Sequence, residues 1–261
     1  MAFDSSTVSS FFGVGPHLLI YILFVFLIAG VVKGVIAFGL PLITIPMLSV
    51  AMPVPHAITL SLLPVISSNI AQAYMCRRGL PTLRSIWPLL LTLVITVPVS
   101  AHYAVLLEER TLYAIAGGAI EVLVLTQLLG FRPDIKPQYR QPALLISGFL
   151  TGMVGGATSF FGFPAIQVFL TLNLGITEFA LATSVTFLLG SIALGLTFGT
   201  AGHISGPDIH LSVAAVIPLL LGLVAGHRLS SKISPALFRR IALLILLATG
   251  LYLLNRGLDL F

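Results

Sequence analysis

The sequence is poor in charge and in nearly every group that soluble chemistry relies on. Of its 261 residues only 8% are charged, while 57% are hydrophobic. Soluble domains carry about a quarter charged residues, so the deficit excludes an ordinary soluble domain and points to a polytopic, all-α membrane protein. There is one cysteine, Cys76, which excludes an internal disulfide and any Cys/His zinc pattern. It abuts Arg77 and Arg78 and reads as a bystander thiol. The six histidines form no HxxxH or HxxEH pattern, so no metal is expected. A GxxxxGK[ST] phosphate loop and a GxSxG nucleophile turn are both missing, so neither ATP hydrolysis nor acyl chemistry is expected, and no cofactor is implied. No polar stretch is longer than the eleven residues from Phe131 to Gln141. All the chemistry must therefore lie among the apolar segments or at their ends.

The net charge is +5. In a soluble chain that would suggest nucleic acid; here the Lys and Arg residues are better read as topology markers. Residues 1–16 hold no Lys or Arg and no small-residue cleavage site, so they read as a short extracytoplasmic tail rather than a cleavable signal peptide.

What the chain does have is apolar runs, and they come twice. In the first half they cover His17–Val32, Leu40–Met52, Ala57–Met75, Ile86–Leu107 and Leu112–Leu129. In the second half they cover Ala143–Thr158, Phe163–Leu174, Phe179–Phe198, Leu211–Gly226 and Ile241–Leu254. The second run of each half is short. Thirteen residues of helix reach roughly 20 Å against a hydrocarbon core of about 30 Å, so Leu40–Met52 and Phe163–Leu174 are expected as broken or re-entrant helices. The segment Ala29–Pro46 (AGVVKGVIAFGLPLITIP) is matched 118 positions later by Ser147–Pro164 (SGFLTGMVGGATSFFGFP), with Gly30, Gly34 and Pro46 falling on Gly148, Gly152 and Pro164. Paired glycine/proline-broken segments in two halves are the best sequence pointer to a transporter's binding site.

Lys/Arg bias sets the orientation. Placing the basic loops 77–84, 132–140 and 228–240 in the cytoplasm puts all the Lys and Arg residues there except Arg110 and Arg256. Equivalent loops of the two halves then face opposite sides. The expectation is two inverted-topology repeats of about five segments each, with both termini outside a bacterial inner membrane. Residues 17–130 form the first repeat, 131–141 a cytoplasmic linker and 142–261 the second repeat.

Each broken segment is followed by a helix with small hydroxylic residues, Ala57-Ile-Thr-Leu-Ser61 in one half and Ala182-Thr183-Ser184 in the other. With these residues the whole chain resembles the TauE/SafE family of sulfite exporters. Where that family shows GxGGG in each copy, this chain has Ala37-Phe38-Gly39-Leu40-Pro41 and Gly155-Gly156-Ala157-Thr158-Ser159. The resemblance implies a secondary transporter of sulfite, sulfonates or related small anions. The opposing readings are a passive anion channel and an intramembrane enzyme or assembly factor. The scarcity of ionisable residues in the spans speaks against the enzyme. The expected partners are a small anion and the lipid bilayer, with no nucleic acid; a homo-oligomer is compatible with the sequence.

Candidate site residues follow from the physics of a helix that starts inside a membrane. Its first N–H groups are unpaired and carry partial positive charge, which suits an anion. Gly39, Leu40 and Pro41 lie at such a start, and Pro41 fits the first turn because its missing N–H costs nothing there. Gly155, Gly156 and Ala157 would offer backbone from the opposing copy, and Thr158 and Ser159 would add hydroxyls. Gly30, Gly34, Gly148 and Gly152 read instead as packing residues, because small residues let helices approach closely. Lys33 is the one lysine within an apolar stretch: either a counter-ion for the anion or a cytoplasmic-end anchor. Ser61, Ser68 and Gln72 share a helix face with Asn69 beside them, and Ser184 and Ser191 repeat the seven-residue spacing. They could line a pathway or bond between helices. Glu121 lies mid-span, as a proton-coupling candidate or a structural carboxyl.

Overall fold

The structure is a computed structural model that describes residues 13–36, 39–130, 135–230 and 235–258. The first twelve residues of the expected tail, Ala37 and Phe38 of the first break, Arg132 of the linker, and Lys232 of the basic loop 228–240 lie outside the described residues.

Ten α-helices and no strand occur among the described residues. The first half holds α1 (Pro16–Ile36), α2 (Leu40–Leu48), α3 (Val54–Met75), α4 (Leu83–Ala104) and α5 (Glu109–Leu128). The second half holds α6 (Arg140–Thr158), α7 (Ala165–Thr171), α8 (Ile176–Thr200), α9 (Gly206–Ser230) and α10 (Pro235–Leu258). Short 3-10 turns, Arg77–Thr82 and Pro137–Tyr139, lead into α4 and α6.

Among the described residues six segments are long and apolar enough to cross a membrane: α1, α3, α4 with its leading turn, α5, α8 and α9. The sequence reading expected α6 and α10 to cross as well. Helix α6 opens on Arg140-Gln141-Pro142 and then spends four of its nineteen residues on glycine, so its apolar stretch is short. The described apolar part of α10, Leu243–Leu258, begins where its described side chains do, so its length does not count against a crossing. The two short helices have nine and seven residues, about 14 and 10 Å of helix, which is less than half a bilayer core.

The exterior is apolar, with Phe24, Ile95, Leu196 and Ile217 more than half exposed. The interior is where the hydroxyls collect: Thr44, Ser61, Ser68, Thr151, Ser184 and Ser191 are wholly buried. Most of these bond back to a carbonyl on their own helix, as Ser61 Oγ does to Ala57 O (2.8 Å) and Ser184 Oγ to Ala180 O (2.6 Å). That local partner is what lets a hydroxyl sit in an interior without water.

Helix pairing follows one scheme in both halves. The dominant packings are α1 on α9, α6 on α4, α5 on α10 and α3 on α8; α3 also packs on α9, as α8 does on α4. Exchanging the halves exchanges these pairs with one another. The α1–α9 and α4–α6 contacts run parallel and are made by glycines. A Cβ on Gly30 or Gly34 would strike the backbone carbonyl of Leu219 or Leu223, and one on Gly226 would strike that of Val31. A Cβ on Gly148 would strike Leu89 O, one on Gly152 would meet Thr96 Cβ at 2.8 Å, and one on Gly156 would meet Val97 O at 2.7 Å. With backbones this close, side-chain hydroxyls reach across: Thr92 Oγ1 donates to Leu145 O (3.1 Å) and Ser100 Oγ to Met153 O (2.5 Å). The α5–α10 pair is antiparallel, with Gly257 against Ala114 and Gly250 against Glu121. The α3–α8 pair is antiparallel too, since the turn after α3 brings Gly79 onto Thr177 and Glu178 at the start of α8, while Gly195 near its end meets Leu62.

Candidate functional site

The first break separates α1 from α2. Gly39 caps α2 with φ 92°, a left-handed conformation that glycine adopts without strain. Leu40 and Pro41 then start the helix, with Pro41 in the first turn. All of α2 except Met47 is buried. Its Thr44 Oγ1 donates to Leu40 O (3.2 Å) and accepts from Ser61 Oγ (3.1 Å), which ties α2 to α3.

The second break separates α6 from α7 and is filled by aromatic rings. Ser159 closes α6 in the left-handed region (φ 61°), and Phe160, Phe161 and Gly162 follow. Phe161 is fully buried. Gly155 on α6 and Gly190 on α8 face its ring; a Cβ at Gly190 would lie 2.6 Å from it, and one at Gly155 would overlap it. Phe187 meets the same ring edge-on, with centroids 5.9 Å apart. The start of α7 is held from within: Ala165 N donates to Thr151 Oγ1 (3.1 Å).

The sequence-derived site residues therefore fall into separate places. Gly155 accommodates Phe161, and Gly156 packs on α4. Ala157 and Thr158 lie near Ile45 of α2 around a gap of only about 10 Å³. Thr158 Oγ1 donates to Val154 O (2.7 Å). The Ser159 hydroxyl is buried with no partner among the described residues, as is that of Ser191. The two breaks share one apolar core, in which Leu42 and Ile45 of α2 join Phe160 and Phe161. Glu121 stands apart at the α5–α10 seam, where a Cβ on Gly250 would overlap its carboxylate.

Lys33 and Gln72 come together elsewhere, in a cavity of about 550 Å³ between the ends of α1, α3 and α9 and the start of α8. That volume lies in the range of small-molecule sites, which are mostly apolar with a few placed polar groups. Its polar groups are Lys33, Gln72, Cys76, Thr177, His227 and Arg228, and no Asp or Glu is among the described residues that line it. Lys33 is 2% exposed, and its ammonium donates to Asn69 Oδ1 at 2.6 Å. A buried charge is normally paired with an opposite one. The partner here is a neutral amide. Burial also pushes the Cys76 thiol up, which makes it a poor nucleophile.

The sequence reading passed over Asn69 as a neighbour of the serine face, and did not connect His227 and Arg228 to Lys33. These residues lie on three helices far apart in the chain, and no spacing rule joins them.

A family model, Sulfite exporter TauE/SafE, matches residues 22–253. The chain belongs to this family. Its members are transporters, not enzymes, and the family implies a sulfite-type anion as substrate. No curated protein and no solved structure matches the chain. For a TauE/SafE protein, a cavity lined by Lys33 and Arg228 and, among the described residues, by no Asp or Glu is the feature of this fold that bears most directly on an anion.

Proposed function

We propose that the protein is a secondary transporter that moves sulfite, sulfonates or related small organosulfur anions across a bacterial cytoplasmic membrane by alternating access. The observation that carries this reading is the buried Lys33 in a cavity that His227 and Arg228 also line and that no Asp or Glu among the described residues lines. Intramembrane charges of this kind mark ion and substrate pathways.

The two halves act as inverted repeats. The exchange of packing partners between halves supports this, as do the parallel α1–α9 and α4–α6 pairs and the antiparallel α3–α8 and α5–α10 pairs. The cavity gathers the ends of α1, α3 and α9 with the start of α8, beside Arg77 and Arg78, so the cavity end is the cytoplasmic one by the positive-inside rule. The conformation is then open inward and closed outward, with Phe161 and Phe187 packed where the outward route would open. Rocking of the repeats would withdraw these rings and pass the anion by the backbone around Gly39–Pro41 and the unpartnered hydroxyl of Ser159. Gln72 lines the inner cavity; Ser61 and Ser184 lie deeper on α3 and α8. An inside-negative potential assists an exiting anion by ~2.3 kcal/mol per charge per 100 mV, which favours export.

The test is saturable sulfite counterflow in proteoliposomes. Trans-stimulated exchange is expected; flux that rises linearly with sulfite and shows no trans-stimulation would make the protein a channel. The topology has its own check. With Cys76 replaced by Ser, cysteines introduced at Gly206 and Gln138 are expected to be labelled from opposite faces of the membrane, and labelling from one face would end the inverted-repeat arrangement.

A further inference from the structure

We propose that Asn69 is the positioning residue of the anion site, and that its neutrality keeps the Lys33 charge available to the substrate. The inference rests on the anion-transport reading of the Lys33 cavity.

The amide of Asn69 is held at both ends. Its Nδ2 donates to Val65 O, one turn back on α3, at 2.8 Å. That bond fixes which way the amide faces and turns Oδ1 towards α1, where it accepts from Lys33 Nζ at 2.6 Å. Asn69 is 2% exposed and Lys33 equally buried, so water does not compete for the contact. Among the described residues this is the one hydrogen bond that the Lys33 side chain makes. An ammonium has three donors, so the others remain to be used on the cavity side.

A carboxylate at position 69 would satisfy a buried ammonium far better than an amide does, because an ionised acceptor about doubles the strength of the bond. It would also cancel the charge, and an anion entering the cavity would meet a neutral pair. The amide orients the ammonium without neutralising it. The arrangement is less favourable for the empty protein than an ion pair and more favourable for the loaded one, which is how a transport site should divide its interactions. The cavity is also lined by Arg228 of α9, a second cation, which favours the same sign of ligand.

The test uses the full-length protein in detergent, with sulfite as the probe and its affinity read by titration calorimetry. Asn69→Asp is expected to weaken sulfite binding at least tenfold while the thermal unfolding midpoint stays at or above that of the parent. Asn69→Gln keeps a neutral carbonyl and is expected to bind within about threefold of the parent. Lys33→Met is expected to show no binding. If Asn69→Asp binds as the parent does while Lys33→Met is silent, the role of Asn69 is overturned and the anion site stands. If Lys33→Met binds normally, the cavity is not the anion site and both readings fall. Should Asn69→Asp not fold, Asn69→Leu takes its place: a tenfold loss that Asn69→Gln does not show supports the positioning role, and parental affinity overturns it.

Discussion

The two helix breaks occupy matching places in the sequence of their halves, yet the helix before one carries a buried lysine and the other break is filled by rings. Where the first half has Lys33, the matching position of the second, 118 residues on, is Thr151. Lys33 reaches out to Asn69 and a cavity; Thr151 turns inward and takes the Ala165 N–H that α7 would otherwise leave unpaired. The first break turns on a glycine at φ 92°, the second on Ser159 at φ 61°. Phe161 fills the second between Gly155 and Gly190. The two matched segments thus both break a helix and differ in what surrounds the break. One segment carries a buried lysine, and the other carries close aromatic packing.

This division can be broken from either side. Lys33→Met removes the charge from the helix before the first break, and sulfite counterflow is expected to fall to background while the protein still inserts and folds. A variant that transports normally would remove the functional half of the contrast. Phe161→Ala removes the ring from the second break. Large aromatic-to-alanine changes in a packed interior cost about 3–5 kcal/mol, so the unfolding midpoint is expected to drop clearly while sulfite affinity at Lys33 stays within about twofold. Equal damage to affinity and stability would show that the two breaks form one site.

Ser159→Ala probes whether the second break also touches the anion. Losing one hydrogen bond to a charged group costs roughly 1.5–3 kcal/mol, so the half-saturation concentration for sulfite transport is expected to rise about tenfold or more. No change would leave the Ser159 hydroxyl as a buried group without a ligand role. The smallest effect is expected at Glu121, which lies at the α5–α10 seam outside both breaks. Glu121→Gln is expected to leave the pH dependence of transport as it is; its loss would make the carboxyl a proton carrier.

Much of this was written in the chain itself. The shortage of charge, the apolar runs and the two matched glycine segments are local properties, and they suffice for a helical membrane protein with paired breaks, because a bilayer admits few ways of satisfying backbone polar groups. Gly30, Gly34, Gly148 and Gly152 were legible as packing residues for the same reason: small residues four apart make one stripe on a helix. Which helix each stripe would meet was not legible. Only the tertiary structure set α1 against α9 and α4 against α6, turned Gly156 towards α4, and gave Gly155 to Phe161. It alone brought Asn69, 36 residues away in sequence, to 2.6 Å from Lys33. Composition and periodicity act along a chain, while the partner of a buried charge is chosen across helices, where distance in sequence has no bearing on distance in space.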